Sequence, residues 1–329
     1  VFNSGSTQQT ATVFDSGQGK IVIAYRDGGN SNYGTAIVGT VSGTSISFGS
    51  EAVFESAATG TLGSTAITAT FDSSNGKVVI AYVDGGNSNY GTAIVASVSG
   101  TSLSYGTAVV FESATTTDIT TTFDSANNKV FIGYSDGGNS QRGTAIIGTV
   151  SSNSISFGTA VVYTGTELGK FNASTFNSDS QKVGVFTRMN SDIQNFFEGS
   201  ISGTTVSFGS ATQINDGTPS AQSVVYDTNS DVFVFHYRDS NNSYNGTVRA
   251  FDPGPAVTST NFVGFAEEDA TANSLVTVQL GGSINDKQTS LTAGQTYFVQ
   301  GDGTIGTTAA SPSVTAGTAV SATEILVKG

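Results

Sequence analysis

The segment AYRDGGNSNYGTAIVGTVSGTSISFGSEAVFES at residues 24–56 decides the fold of this 329-residue chain, because it is repeated twice almost unchanged. It returns as AYVDGGNSNYGTAIVASVSGTSLSYGTAVVFES at residues 81–113 and as GYSDGGNSQRGTAIIGTVSSNSISFGTAVVYTG at residues 133–165. Two more divergent copies follow at residues 176–213 and 226–251. A period of about fifty residues predicts a repeat architecture, in which each unit buries its faces only against its neighbours.

Each unit carries four strand signals, rich in β-branched and aromatic residues. In the first unit they lie at residues 10–15, 20–27, 34–42 and 45–55, and the turn sequences DSGQG, DGGNSNYG and SGT separate them. Helical periodicity is absent. This pattern predicts an all-β fold, a β-propeller of four-stranded blades with five repeats. An open β-solenoid is the alternative, although its coils would not need three tight hairpins in each period.

The two ends of the repeat region suggest how the ring closes. The fifth repeat lacks an outer SISFG strand after Phe251, and the chain opens with VFNS, which matches the VFES at residues 53–56. We therefore expect Val1 and Phe2 to supply the missing edge strand of the last blade, which would close a ring of five blades. A further repeat upstream would instead give six or more blades.

The repeat disappears after about residue 260. The remaining sequence reads SLVTVQL, LTAGQTYFVQ, TIGTT and AVSATEILVKG, which are short strand signals around glycine turns. The sequence therefore predicts two domains, a propeller at residues 1–260 and a small C-terminal β-module at residues 261–329.

Composition excludes several classes of function. Charged residues make up only 11% of the chain and the net charge is -13, so phosphate backbones and anionic membrane surfaces would be repelled. The chain has no cysteine and one histidine, His236, which removes thiolate zinc sites and multi-histidine metal sites. No apolar run reaches the roughly 18 residues of a membrane span. We expect no cofactor, no nucleic-acid partner and no membrane insertion.

The repeat, written as YxDGGNSxYGTAIVGTVSGTSISFG, resembles repeats of tail-fibre and related structural proteins of bacteriophages, marine ones especially. The C-terminal sequence LTAGQTYFVQGDGT followed by AGTAVSATEILVK resembles a module that recurs near the C-termini of phage virion proteins. The resemblance implies an extracellular virion appendage, with a fibre favoured over a capsid decoration. It also implies other virion subunits as partners and a homotrimeric assembly.

The DGGNSNYG sequence joins the second and third strands of its blade, so its copies should project from one end of three blades. Aspartate and asparagine can bind sugar hydroxyls, and a tyrosine ring can pack on the apolar face of a sugar. The candidate ligand-binding residues are Asp27, Asn30, Asn32, Tyr33, Asp84, Asn87, Asn89, Tyr90, Asp136, Asn139 and Arg142. The alternative is that these residues only form a tight turn. The fourth repeat has RMNSDIQN at residues 188–195 instead and should lack such a site.

The same loops offer a loose fit to calcium through Asp27, Asp84 and Asp136. Each loop brings only one carboxylate and no bidentate glutamate, so the sequence does not predict a metal site.

An enzyme would need catalytic groups that the repeats do not share. Glycosidases use two carboxylates with separate roles, whereas the repeated aspartates occupy equivalent places in their blades. The residues that break the symmetry are Arg188, Met189, His236, Arg238 and Asp239. Alternation along VFVFHYRD puts His236 opposite Phe233 and Phe235, and we expect it to pack between blades rather than act as a base. A propeller glycosidase is therefore the remote alternative, and we expect a protein that is not an enzyme.

The sequence and the resemblance together predict a virion fibre or adhesion protein that binds a host surface glycan through repeated polar loops. One alternative is a purely structural virion decoration protein that binds other subunits. Another is a secreted bacterial adhesin of similar build.

Overall fold

The computed structural model describes residues 1–60, 65–189, 193–214, 219–252, 262–268, 277–300, 304–309 and 313–328. Its regular structure is β-strand, apart from single 3-10 turns at Gly85–Asn87, Gly137–Asn139 and Ser240–Asn242. The predicted all-β class is thereby confirmed. No helix within these ranges is long or apolar enough to span a membrane. The chain forms two compact units, Val1–Asp252 and Pro253–Gly329. The predicted domain boundary at residue 260 lies outside the described residues.

The first repeat folds into a sheet that we call blade 1. Its strands are β1 (Thr7–Asp15), β2 (Lys20–Asp27), β3 (Tyr33–Ser42), β4 (Ser45–Phe48) and β5 (Ala52–Ala58). β1, β2 and β3 pair antiparallel in chain order, and β4 and β5 share the other edge of β3. Nearly every buried position of β2 and β3 carries a β-branched or small side chain, and consecutive residues of both strands are buried. Burial of consecutive residues means that both faces of this sheet are covered.

Four further blades follow in chain order. Blade 2 contains β6 (Ile67–Asp72), β7 (Lys77–Asp84), β8 (Tyr90–Ser99), β9 (Ser102–Tyr105) and the first half of β10 (Val109–Asp124). Blade 3 contains the second half of β10, β11 (Lys129–Asp136), β12 (Arg142–Ser151), β13 (Ser154–Phe157) and β14 (Val161–Val162). Blade 4 contains β15 (Lys170–Asn177), β16 (Lys182–Arg188), β17 (Gln194–Ser202), β18 (Thr205–Phe208) and β19 (Thr212–Gln213). Blade 5 contains β20 (Pro219–Asp227), β21 (Val232–Asp239) and β22 (Asn245–Phe251).

The fourth strand of each complete blade is broken, so the predicted single strand at residues 45–55 is wrong. The break begins at Gly49, where a Cβ atom would lie 2.0 Å from the carbonyl oxygen of Thr101 in the next blade. Gly106 and Gly158 meet the carbonyl oxygens of Asn153 and Thr204 in the same way. The glycine of the repeated SFG or SYG sequence therefore lets the outer turn of the following blade pack closely against the backbone.

Consecutive blades meet at interfaces that we call seams, and an aromatic ring from the fourth strand packs in each of the first three. Phe54 of blade 1 packs on Tyr82 and Tyr105 of blade 2, with ring centroids 5.2 and 6.2 Å apart. Phe111 packs on the equivalent rings of blade 3, Tyr134 and Phe157, and Tyr163 packs on Phe197 and Phe208 of blade 4. Buried aliphatic residues of both sheets fill the rest of each seam. Every blade therefore depends on its neighbours for burial.

The first strands of successive blades lie side by side, so β1, β6, β10, β15 and β20 form the inner part of the unit. Hydroxyl groups link neighbouring inner strands. The Oγ1 atoms of Thr68 and Thr121 are 2.9 Å apart, and Ser174 Oγ lies 2.9 and 2.7 Å from Thr120 and Thr122. The Thr-rich inner strands of the sequence are thus explained by polar contacts between blades.

The predicted pairing of Val1 and Phe2 with the last blade is wrong in this structure. Within the described residues nothing pairs with the outer edge of β22, and Val225 and Val248 of blade 5 are 59% and 68% exposed. Phe2 instead packs on blade 1, 5.2 Å from the Tyr25 ring and 6.0 Å from the ring of Phe48. It occupies on blade 1 the place that Phe54 occupies on blade 2. The similarity of VFNS to VFES thus corresponds to an equivalent ring contact on blade 1 and not to the predicted edge strand of the last blade.

The second unit is also built from short strands. They are β23 (Gly264–Ala266), β24 (Val278–Leu280), β25 (Ile284–Asn285), β26 (Thr296–Val299), β27 (Ile305–Gly306), β28 (Thr315–Ala319) and β29 (Ile325–Val327). β23 pairs with β24, and the others form a sheet in the order β25-β29-β28-β26-β27. Its own core contains Leu291, Tyr297 and Ile325.

Candidate functional site

The three DGGN-type loops lie at the same end of blades 1, 2 and 3, as the sequence predicts. Each connects the second strand of its blade to the third, and the pairs Asp27 with Tyr33, Asp84 with Tyr90 and Asp136 with Arg142 close the three loops. We call residues 27–33, 84–90 and 136–142 together the rim. The structure therefore places the eleven candidate residues in three equivalent sets on adjacent blades.

The rim aspartates hold their own turns together. Asp27 Oδ1 accepts hydrogen bonds from the Gly29 amide at 2.9 Å and from Asn3 Nδ2 at 3.1 Å. Asp84 Oδ1 accepts from the amides of Gly86 and Asn87, at 2.9 and 3.1 Å. The Asp136 carboxylate accepts from the Gly138 amide at 2.9 Å. These contacts favour the structural interpretation of the three aspartates.

The glycines of each loop, and one asparagine in each of the first two loops, are also required by the fold. A Cβ atom on Gly85 would lie 2.4 Å from the Ala58 carbonyl oxygen, and one on Gly137 would lie 2.5 Å from that of Thr115. Asn32 and Asn89 adopt left-handed backbone angles, with φ of 63° and 60°. Asparagine tolerates this conformation better than most residues. Most of the DGGN sequence is thus explained by close packing and turn geometry.

Other rim groups remain free to meet a ligand. Asn30 and Asn87 are exposed, Asn139 is half-buried, and no side-chain hydrogen bond within the described residues engages these three amides. The rings of Tyr33 and Tyr90 are half-buried beside them. An amide that can donate and accept, next to a partly exposed ring, is a combination that suits a sugar.

The rim does not suit a metal ion. In the described part of the chain no group of three or more histidine or acidic side chains comes together. The aspartates considered for calcium, at positions 27, 84 and 136, lie in separate loops and each already accepts amide hydrogen bonds. The calcium interpretation therefore gains no support from the geometry.

Diverged blades 4 and 5 carry other side chains at this end, although the blade 5 loop keeps the 3-10 turn, at Ser240–Asn242. Arg188 stacks on the Phe171 ring at 4.6 Å, and Arg238 stacks on the ring of Tyr244 at 4.5 Å. The centre of the RMNSDIQN segment lies outside the described residues. His236 is exposed on the open face of blade 5, so the expected packing between blades is wrong, because no further sheet covers that face in the described residues.

Acidic groups in the seams have structural partners that repeat from blade to blade. Tyr82 donates to Glu55 and Tyr134 donates to Glu112, both at 3.1 Å. Burial raises the pKa of the Glu112 carboxyl, and the charge of Asp136 raises it further. A tyrosine-to-glutamate pair that occurs in two successive seams is typical of a structural contact rather than of one singular catalytic acid.

Several buried polar atoms without a hydrogen-bond partner lie at the rim end of the blades. They are Arg26 Nε and Nη1, Arg142 Nε, Asp118 Oδ1, Thr35 Oγ1 and Thr92 Oγ1. Burial raises the pKa of the Asp118 carboxyl. The sequence predictions missed Arg26 and Asp118. Comparing the repeats at Arg26 could have drawn attention to it, because blades 2 and 3 carry Val83 and Ser135 there.

The comparisons with known proteins concern the fold. No family model and no curated protein matches the chain. A solved protein of unknown function from Dyadobacter fermentans has a TM-score of 0.52 at 11% identity, over 76% of this chain and 80% of that one. The SapL1 lectin in complex with alpha methyl fucoside has a TM-score of 0.48 at 13% identity, over 77% and 80%. An exo-beta-1,3-galactanase from Phanerochaete chrysosporium has 0.44 at 11%, over 71% and 57%. A lectin and an enzyme are both among these chains, so the likeness does not decide between the two classes.

Replacing Asp27, Asp84 and Asp136 together with alanine should lower the free energy of unfolding by about 3 kcal/mol. Each change leaves one or two turn amides without an acceptor, at about 1 kcal/mol a loop. Chemical denaturation of the triple variant and the parent protein measures the difference. Unchanged stability combined with lost cell binding would instead show that the carboxylates contact a ligand.

Proposed function

We propose that this protein is an adhesin whose rim binds glycans. The observation that carries the proposal is the triple occurrence of one loop, closed by equivalent strand pairs and ending in two left-handed residues, at one end of three adjacent blades. The fold accounts for the aspartates and glycines of these loops, but not for the amides of Asn30, Asn87 and Asn139. These uncharged groups match sugar hydroxyls better than they match phosphate or a metal.

We infer further that the five sheets are blades of a β-propeller and that the adhesin belongs to a virion fibre outside the cell. The propeller interpretation is supported by inner strands that lie side by side and by the repeated seams. The virion interpretation is supported by the sequence resemblance alone. Its partners would be a host surface glycan and other virion subunits, in a homotrimer.

A structural role in a virion is the second candidate, and one observation favours it. The face of blade 5 that looks away from blade 4 exposes Val225 and Val248, although the corresponding Ala36 of blade 1 is fully buried. An uncovered apolar sheet is a surface that another subunit can bury. A virion decoration protein would use this face and leave the rim without a ligand.

The test compares two triple variants on a glycan array and on host cells. Asn30→Ala, Asn87→Ala and Asn139→Ala together should weaken glycan binding about tenfold or more, since each lost hydrogen bond contributes about 1 kcal/mol. The melting temperature should not change, because these amides hold no turn. Ser16→Ala, Ser73→Ala and Ser125→Ala, three exposed positions in the turns at the opposite end, form the control and should bind as the parent does.

Equal binding by both triple variants would contradict the rim assignment. Absence of saturable binding by the parent protein on either surface would favour the structural role.

A further inference from the structure

Arg26 is a cation whose buried nitrogen atoms have no partner. Its Nε and Nη1 atoms are shielded from solvent and make no hydrogen bond to the described residues, while the side chain as a whole is half-buried. It lies on β2 directly before the first rim loop and pairs across the sheet with Gly34. A Cβ atom on Gly34 would point at the Phe54 ring and at the Thr59 methyl group. Paired residues share a face, so Arg26 lies in the seam between blades 1 and 2.

The seam does not require a charge at this position. By strand register the equivalent residues are Val83 in blade 2 and Ser135 in blade 3. Val83 is 3% exposed in an apolar cluster, and the Ser135 hydroxyl donates to the carbonyl oxygen of Gly169. A small side chain therefore fills the corresponding place in the next two seams.

Where blades 4 and 5 carry arginine at the same position, an aromatic ring is present. Arg188 stacks on Phe171 and Arg238 stacks on Tyr244. By register, residue 9 of blade 1 corresponds to Phe171, and both have the same left-handed backbone. Gln9 carries no aromatic ring, and its Oε1 atom already accepts a hydrogen bond from the Ala66 amide at 3.1 Å. Blade 1 thus has the cation without the group that accompanies it elsewhere.

No carboxylate in the described residues forms an ion pair with the Arg26 guanidinium group. The Asp27 carboxylate, next in sequence, is engaged by the Gly29 amide and the Asn3 side chain. A guanidinium group with unmet donors attracts an oxyanion strongly, because charge-assisted hydrogen bonds are shorter and stronger than neutral ones. Since the chain carries a net charge of -13, affinity for an anion here must come from this local group rather than from the overall field.

We infer that Arg26 forms an anion subsite beside the first rim loop, in which Nη2, the guanidinium nitrogen that is not shielded from solvent, binds the carboxylate of an acidic sugar. The inference rests on the proposed glycan-binding function and narrows its ligand to glycans with a negatively charged residue. Of the three rim loops, only the first directly follows an arginine on the second strand of its blade, so this loop selects the acidic sugar.

The experiment titrates the full chain with sodium glucuronate, glucose and sodium sulfate by calorimetry. Glucuronate should bind about tenfold more tightly than glucose, as one charge-assisted contact predicts, and more tightly than sulfate, which makes the same charged contact but lacks the sugar ring. Arg26→Val, which copies the residue of blade 2, should abolish the preference without loss of thermal stability. Gln9→Glu should abolish the preference too, because the introduced carboxylate would form an ion pair with the Arg26 guanidinium group. Arg249→Val removes an equal charge from blade 5 and should keep the preference.

Three results would overturn the subsite: equal affinity of the parent for glucuronate and glucose, sulfate that binds as tightly as glucuronate, or an unchanged preference in Arg26→Val. A clear fall in the melting temperature of Arg26→Val would assign the arginine to the fold instead. The triple asparagine variant separates the two proposals. If it retains neutral glycan binding while Arg26 still governs the glucuronate preference, the rim assignment fails and the subsite stands.

Discussion

Replacing Gly106 with alanine is expected to lower the free energy of unfolding by about 3 kcal/mol or more. The added Cβ atom would lie 1.7 Å from the carbonyl oxygen of Asn153, which belongs to the outer turn of blade 3. The obstacle is backbone rather than a flexible side chain, so relief requires the two blades to move apart. Equilibrium denaturation in urea measures the loss.

Gly209 provides the matched control for this substitution. It is the glycine of the fourth-strand SFG sequence of blade 4, as Gly106 is the glycine of SYG in blade 2, but no atom of the described residues lies within 4 Å of a Cβ atom there. Alanine at Gly209 should therefore be neutral, or stabilise the protein by about 0.5 kcal/mol through reduced freedom of the unfolded chain. Similar losses at both glycines would show that the seams do not depend on this close approach.

Replacing Phe111 with alanine should cost about 3 to 5 kcal/mol, as for other buried phenylalanines. The side chain is 8% exposed and packs on Tyr134 and Phe157, with ring centroids 5.2 and 5.8 Å apart. Its removal would leave a cavity in the seam between blades 2 and 3. In calorimetric unfolding the transition of the first unit should shift as a whole, because each blade needs its neighbours for burial.

The neighbouring residue is the control for this second change. Val110 is 40% exposed, and Val110→Ala should alter stability by about 1 kcal/mol or less. A Phe111→Ala protein as stable as Val110→Ala would contradict the role assigned to the fourth-strand aromatics.

The sequence predicted the parts of the fold that depend on local chemistry. Period-two alternation and turn residues placed β2 and β3 within one residue of their observed starts, and they placed the rim loops at one end of three blades. The break at Gly49 could not be predicted, because its cause is a carbonyl oxygen of Thr101 about fifty residues away in another blade. The place of Phe2 could not be predicted either, since VFNS specifies a ring that packs but not the sheet that receives it.

The site was predictable to a similar extent. The repeated sequence of the loops identified the candidate residues, and the DGG sequence predicted a tight turn. The sequence could not separate Asp27, which caps its turn, from Asn30, which is exposed, because that depends on which atoms point outward. Arg26 was missed for the same reason. A donor without a hydrogen-bond partner results from the packing of two blades, so the sequence of one strand does not reveal it.

The most direct test of the rim assignment is a map of backbone amide shifts by nuclear magnetic resonance, recorded on the full chain during titration with a glycan from the array. Glycan binding at the rim predicts shifts concentrated at residues 28–33, 85–90 and 137–142. The turns at residues 16–19, 73–76 and 125–128, at the opposite end of the same blades, should remain unchanged. Shifts confined to those opposite turns, or to residues 277–328 of the second unit, would contradict the assignment of the rim as the glycan-binding surface.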